Sequence, residues 1–84
     1  LEQYAGTYAD TLYGSATVRL DHGALVLESS PLLTADLEHW NYDTFMAHYR
    51  NRSLGERLVT FRLGPTGTVA SLDFGDGMVL ARTP

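Results

Sequence analysis

The residues best suited to chemistry lie near the middle of the 84-residue chain, in the stretch HWNYDTF at positions 39–45. Tryptophan and tyrosine rings combine an apolar body with a polar tip, which suits them to a small ligand or to a docking partner. The neighbouring imidazole and carboxylate would fix the polarity of such a site. The sequence therefore predicts a ligand-binding or docking surface, formed by Tyr13, His39, Trp40, Tyr42 and Asp43. The β-barrel predicted below would place this surface near one of its mouths.

The same stretch also has a purely structural interpretation, as the corner of a small fold. Asp43 can accept backbone N–H groups in an Asx-type turn. Trp40 and Phe45 can pack over the end of the fold, because large aromatic rings each bury roughly 150–250 Å². The residues alone leave both interpretations open.

The candidate ligands for a metal ion are the three histidines of the chain, at positions 22, 39 and 48. His22 lies in a predicted turn. A hairpin through residues 40–43 places residue 39 opposite residue 44, so that His48 lies about 13 Å along the strand from His39. One zinc ion with Zn–N bonds of about 2.1 Å cannot bridge that distance. We therefore expect no metal and no other cofactor.

Nucleophilic catalysis lacks its usual residues in this chain. Neither lysine nor cysteine occurs, so a Ser-x-x-Lys nucleophile, a Schiff base and a catalytic thiolate are all excluded. No Gly-x-Ser-x-Gly turn presents a serine, and the glycines at 75 and 77 lack the strand-then-helix context of a dinucleotide loop. The sequence predicts a domain that is not itself an enzyme.

Charge and hydropathy exclude two kinds of partner. Ten acidic residues against six arginines give a net charge of −4, and the arginines are scattered singly, which is unlike a nucleic-acid-binding surface. No apolar run approaches the roughly 18 residues that a membrane-spanning helix needs. We expect neither nucleic-acid binding nor a membrane span in this chain.

Periodicity and turn residues predict a single all-β domain over residues 1–84. Alternation of polar and apolar residues is typical of strands with one buried face, and turn signals, including residues 29–31 and 75–77, recur at the spacing of a meandering sandwich or barrel. Residues 1–4 can form a helical turn. Eight strands are predicted, at 6–10, 15–20, 24–28, 33–39, 44–50, 58–63, 69–74 and 78–83.

An eight-stranded closed sheet is just wide enough to be filled by side chains or to hold one small ligand. Strands of about six residues span only about 20 Å, which favours an interior filled by aromatic side chains. The chain has nine aromatic residues, at positions 4, 8, 13, 40, 42, 45, 49, 61 and 74.

The whole chain resembles a known accessory domain. The resemblance lies in Leu1-x-x-Tyr4-x-Gly6-x-Tyr8, in Leu12-Tyr13-Gly14, in Leu33 and Leu37, and above all in the block EHWxYDTF at residues 38–45. These match the lipocalin-like domain of unknown function at the C-terminus of bacterial serine β-lactamase-like and penicillin-binding-protein-related hydrolases. The resemblance implies a small lipocalin-like barrel excised from a longer hydrolase, a bacterial origin, and a location in the periplasm or cell envelope.

Two functions follow from this resemblance and from the residues. In the first, the barrel is an interaction module that packs on the upstream hydrolase domain or on a second copy of itself, and modulates access or stability. In the second, the barrel mouth binds a small apolar or envelope-derived ligand. The serine and lysine of the hydrolase family belong to the upstream domain, so no catalytic residue is carried over to this chain.

Overall fold

Alternating polar and apolar residues set the architecture, because a strand with this period buries one face and exposes the other. The computed structural model describes residues 1–29, 33–75 and 77–83, and in it the strands form one closed antiparallel barrel. They follow one another in sequence order, and the last strand returns to pair with the first. The strands are β1 Gly6–Asp10, β2 Gly14–Asp21, β3 Ala24–Glu28, β4 Thr34–Asn41, β5 Thr44–Tyr49, β6 Glu56–Leu63, β7 Val69–Asp73 and β8 Val79–Arg82. The predicted all-β meander of eight strands is confirmed.

Successive connections of an antiparallel meander lie at alternate ends of the barrel. One end carries the β2–β3, β4–β5 and β6–β7 connections and a 3-10 turn at Glu2–Tyr4. We call this the capped end. The open end carries the other four connections, including a 3-10 turn at Arg52–Leu54. The 3-10 turn at Glu2–Tyr4 confirms the helical turn predicted for residues 1–4.

The 3-10 turn at the start of the chain fills the capped end. The Tyr4 ring lies 5.2 Å from the ring of Phe45 and 4.6 Å from that of Phe61, between centroids. The Tyr8 hydroxyl donates to the Tyr4 carbonyl at 2.6 Å. The Arg82 guanidinium donates to the carbonyls of Gln3 and Ala5, at 3.0 and 2.6 Å, and so holds the turn against β8.

The aromatic side chains divide between core and surface, so the prediction that they fill the interior is correct only in part. The rings of Tyr4, Tyr8, Phe45, Phe61 and Phe74 are buried, and Tyr49 packs against the core from a half-buried position. Tyr13, Trp40 and Tyr42 are 48%, 59% and 85% exposed. Leucine, valine and alanine supply the rest of the core, at positions 16, 18, 25, 27, 35, 37, 47, 59, 69, 72 and 80.

The register of the β4–β5 hairpin differs from the prediction. His39 pairs with Phe45 rather than with residue 44, and His48 pairs with Asp36. The reason is a register shift between His39 and Asn41, followed by a turn of only two residues, Tyr42 and Asp43. The two histidines are still separated, since residues 36 and 39 lie about 10 Å apart along β4 and on opposite faces.

Two features of the sequence fall at the limits of the described residues. The turn predicted at 29–31 and the turn predicted at 75–77 lie partly outside them. Within the described part of the chain, no helix has the length and apolar character needed to cross a bilayer.

Candidate functional site

The stretch at positions 39–45 forms the β4–β5 hairpin at the capped end of the barrel. The His39 ring packs edge-on against Phe45, with centroids 5.3 Å apart. Its Nε2 lies 2.8 Å from the carbonyl oxygen of Tyr42. Tyr42 has a positive φ of 48°, which is uncommon for an aromatic residue. His39 is therefore engaged in holding a tight turn.

Asp43 links this hairpin to the start of the chain. Its carboxylate accepts the Tyr4 hydroxyl at 2.5 Å, and its backbone carbonyl accepts the Phe61 N–H at 2.9 Å. The hydrogen bond to Asp43, followed by burial, raises the pKa of Tyr4 to about 12. The sequence predicts that the Asp43 carboxylate accepts local backbone N–H groups in an Asx-type turn. In the structure it instead accepts a hydrogen bond from Tyr4, which is distant in the chain.

Trp40 and Tyr42 project from the hairpin into solvent. The prediction that Trp40 packs over the barrel end is wrong, since 59% of it is exposed, whereas Phe45 is buried as predicted. The hairpin thus combines a fixed backbone with two exposed rings, and it is the part of the predicted surface that could contact a partner.

Tyr13 does not lie on this surface. It follows β1 at the open end, where the Asp10 carboxylate accepts the N–H groups of Leu12 and Tyr13 at 2.8 and 3.2 Å. The structure therefore brings His39, Trp40, Tyr42 and Asp43 together and leaves Tyr13 at the opposite end of the barrel.

The open end contains a cavity of about 410 Å³ that the sequence did not predict in this form. Buried core side chains form its floor, namely Leu27, Phe74 and Leu80, and the half-buried Tyr49 and Met78 form its wall. Among the described residues, Tyr13, Ser29, Leu33, Leu54 and Glu56 form the exposed rim, and Arg57 also lines the cavity.

Arg57 reaches the cavity because of its place in β6. It pairs with Ala47, which is fully buried, and it has the same parity as Val59 and Phe61, which are buried core residues. Side chains of directly paired residues, and of alternate residues along one strand, share a face of the sheet. Arg57 therefore occupies an inward position at the barrel mouth. The strand predicted from the sequence begins at residue 58 and therefore leaves Arg57 outside it.

A smaller cavity of about 330 Å³ lies beside the cap and is lined by Tyr4, Asp43 and Arg82, among others. The polar groups of these three residues already bind one another or the backbone of the 3-10 turn. This cavity therefore lies among the contacts that close the capped end.

The outer face carries charged pairs. His48 lies between two carboxylates, with Nε2 2.8 Å from Glu38 and Nδ1 2.6 Å from Glu56. The hydrogen bond to Glu38 and the charge of Glu56 raise the pKa of His48. Arg50 binds the Asp36 carboxylate with two N–H groups, at 2.9 and 3.2 Å, which lowers the pKa of Asp36. Among the residues that the structure describes, no three histidine or acidic side chains are placed to hold a metal ion.

Comparison with known proteins gives one match. A family model described as "Domain of unknown function (DUF3471)" matches residues 1–81. No curated protein and no solved structure matches the chain.

Proposed function

The chain belongs to the DUF3471 family, and on that premise we propose that it is the non-catalytic accessory domain of a serine β-lactamase-like hydrolase. The barrel packs on the catalytic domain of the same polypeptide and modulates access to the active site or stabilises it. The same surface would serve if the barrel packed on a second copy.

The observation that carries this proposal is the pair of exposed rings on the β4–β5 hairpin. Trp40 and Tyr42 are 59% and 85% exposed, although their backbone is held by Asp43 and His39. A ring on a preordered turn loses little conformational entropy when it is buried by a partner. Tryptophan and tyrosine are also the residues most enriched among the dominant contacts of protein interfaces.

The chemistry of the chain supports an accessory role. The predicted site residues His39 and Asp43 are used to fix the hairpin and the cap. The chain supplies no lysine for a Ser-x-x-Lys nucleophile, so the proposal assigns that motif to the catalytic domain.

Two-dimensional amide NMR tests the proposal by titrating the labelled 84-residue domain with the separately expressed catalytic domain encoded upstream. We expect shifts confined to the β4–β5 hairpin and its neighbours at the capped end. Trp40→Ala should abolish them, whereas Leu12→Ala, at a leucine 79% exposed at the open end, should leave them unchanged.

Three results would contradict the proposal. These are an upstream reading frame without Ser-x-x-Lys, a titration without shifts at high micromolar partner, and equal effects of the two alanine variants. Sedimentation of the isolated domain separates self-association from docking, since only self-association raises its mass without the catalytic domain.

The open-end cavity favours a second candidate function, in which the barrel acts as a lipocalin-like module for a small apolar ligand. Its volume of about 410 Å³ lies within the usual range for small-molecule sites, roughly 300–1,000 Å³. Binding of any apolar ligand in this cavity would support this function independently of docking at the capped end.

A further inference from the structure

The open-end cavity also indicates a ligand class, and this inference rests on the second candidate function. We propose that the cavity binds a small apolar carboxylate, such as a medium-chain fatty acid. The hydrocarbon chain lies on the apolar floor of the barrel, and the carboxylate is held at the mouth by Arg57.

The size of the cavity limits the ligand. If each non-hydrogen atom occupies about the 30 Å³ that a water molecule takes in the liquid, a cavity of about 410 Å³ holds on the order of a dozen such atoms. Decanoate has that size. The floor of Leu27, Phe74 and Leu80 offers an alkyl chain a dry apolar contact surface.

The charge at the mouth decides which end of the ligand stays there. Two charged residues of β6 line the cavity, Glu56 and Arg57. The Glu56 carboxylate is directed to the outer face, where it lies 2.6 Å from His48 Nδ1. Arg57 instead shares the inward face with Ala47 and Val59. From β6, the cavity therefore presents the guanidinium group of Arg57.

A guanidinium in this position favours a carboxylate for two reasons. Its five N–H donors form a planar fork that matches the two carboxylate oxygens, and it can hold a ligand while it also contacts the protein. An alcohol of the same length offers the guanidinium one neutral oxygen, so it can form neither the ion pair nor the two parallel hydrogen bonds that a carboxylate forms.

The test compares three ligands of equal chain length, decanoate, decanol and decylamine, each below its micelle-forming concentration. Isothermal titration calorimetry gives the affinity, and two-dimensional amide NMR locates the ligand. We expect decanoate to bind on the order of tenfold more tightly than decanol, and decylamine to bind most weakly. The amides of Leu27, Tyr49 and Leu80 should shift, while that of Asp43 should not.

Three variants assign the site. Arg57→Gln should remove the preference for decanoate over decanol, while Arg62→Gln, on the outer face of the same strand, should retain it. Ser29→Trp places a large ring on the rim and should weaken both ligands. Each variant must first give an amide spectrum with wild-type dispersion, and Ser29→Trp tests the site even if Arg57→Gln does not fold.

The outcomes separate this inference from the function on which it rests. Equal binding of decanoate and decanol in the cavity would overturn the acid preference and keep the ligand-binding function. Binding of no ligand would overturn both. Full decanoate affinity in Ser29→Trp, or in a folded Arg57→Gln, would overturn the assignment of the site.

Discussion

At the scale of single residues, Asp43 makes a contact that the sequence could not predict. Its carboxylate accepts the hydroxyl of Tyr4, 39 residues away in the chain. Neither residue type nor local spacing indicates this pair, because it depends on how the 3-10 turn crosses the barrel end. The contact nevertheless connects the cap to the exposed hairpin, and it can be tested at both residues.

Replacing Tyr4 by phenylalanine should lower the free energy of unfolding by about 1 kcal/mol at neutral pH, since one partly buried hydrogen bond is lost. Urea unfolding measures this. Tyr42→Phe is the matched control, because Tyr42 lies next to Asp43 on the β4–β5 hairpin and is 85% exposed. This variant should change the stability by less than about 0.5 kcal/mol. Equal losses in the two variants would contradict the assigned contact.

The same pair predicts a pH dependence in the alkaline range. Tyr4 has a pKa of about 12 in the folded state against 10.0 as its ordinary value, so the folded protein retains this proton more strongly than the unfolded chain. Its contribution to stability is therefore complete below pH 10 and is lost as the pH rises toward 12. The difference in unfolding free energy between wild type and Tyr4→Phe should shrink over this interval. A difference that is constant with pH would show that the hydroxyl does not titrate as proposed.

Trp40 and Phe45 belong to the same block of sequence but should respond very differently to truncation. Phe45 is 2% exposed and Trp40 is 59% exposed. We expect Phe45→Ala to cost about 3–5 kcal/mol and Trp40→Ala about 0.5 kcal/mol or less, both measured by urea unfolding. A cost for Trp40→Ala as large as that for Phe45→Ala would show that the Trp40 ring packs in the core. It would also remove the basis of the docking proposal.

At the scale of strands, alternation predicted which segments pair but not how each hairpin turns. Strict alternation along residues 44–50 puts Phe45, Ala47 and Tyr49 on one face, and in β5 all three pack toward the core. The opposite strand continues through a register shift to Asn41, which a pattern with a strict period of two cannot represent. Strict alternation along β6 would likewise put Leu63 on the face of Phe61, but a shift after Arg62 leaves it 51% exposed.

Parity could have predicted more of the candidate site. The β1–β2 and β4–β5 connections of a meander must lie at opposite ends, so Tyr13 could have been separated from Trp40 by counting strands. Arg57 has the parity of Val59 and Phe61, and extending the strand by two residues would have placed it inside the barrel. The volume of the open end depends on side-chain packing across several strands and could not be obtained in this way.

His48 connects three neighbouring strands on the outer face and should make their stability depend on pH. Its pKa is raised above 6.5 by Glu38 on β4 and Glu56 on β6. Its contribution to stability is therefore complete below pH 6.5 and is lost as the pH rises through the higher pKa of the folded state. Wild type should exceed His48→Gln in stability at about pH 5.5 and should lose this advantage by about pH 9, as measured by urea unfolding.

The double variant Glu38→Gln/Glu56→Gln is the matched background for this prediction. Without the two carboxylates, His48→Gln should have an effect that no longer depends on pH. A pH dependence that persists in this background would assign it to other groups near His48, of which Asp36 and Arg50 are the nearest in the network.

At the scale of the whole molecule, the two ends of the barrel differ in what fills them. The capped end is packed by Tyr4, Phe45 and Phe61, and the open end retains a cavity of about 410 Å³. Because of this asymmetry, the proposed docking surface and the proposed ligand site would not compete for the same end of the domain. It also means that ligand binding and docking should be separable by mutation, since the residues proposed for each lie at opposite ends.

The barrel is closed by a short seam between β1 and β8. Strands β1 and β8 pair at two positions, Tyr8 with Arg82 and Ala9 with Ala81. By contrast, β2 and β3 pair at five positions, from Thr17 with Glu28 to Asp21 with Ala24. The N–H and the hydroxyl of Thr83 both donate to the Thr7 carbonyl, at 2.8 and 3.0 Å, and extend the seam by one residue. With so few hydrogen bonds, the seam is the part of the sheet that should open first.

Native-state hydrogen exchange measures this directly. We expect the amides at the β1–β8 seam, including that of Thr83, to exchange through an opening with a lower free energy than global unfolding. The β2–β3 amides should exchange only by global unfolding, because that ladder pairs at five positions and joins two strands with buried core residues. Arg82→Gln should lower the opening free energy further, since Arg82 also holds the 3-10 turn through Gln3 and Ala5. Identical exchange free energies at both ladders would mean that the barrel opens only as a unit, and that the cap and the seam stabilise it together.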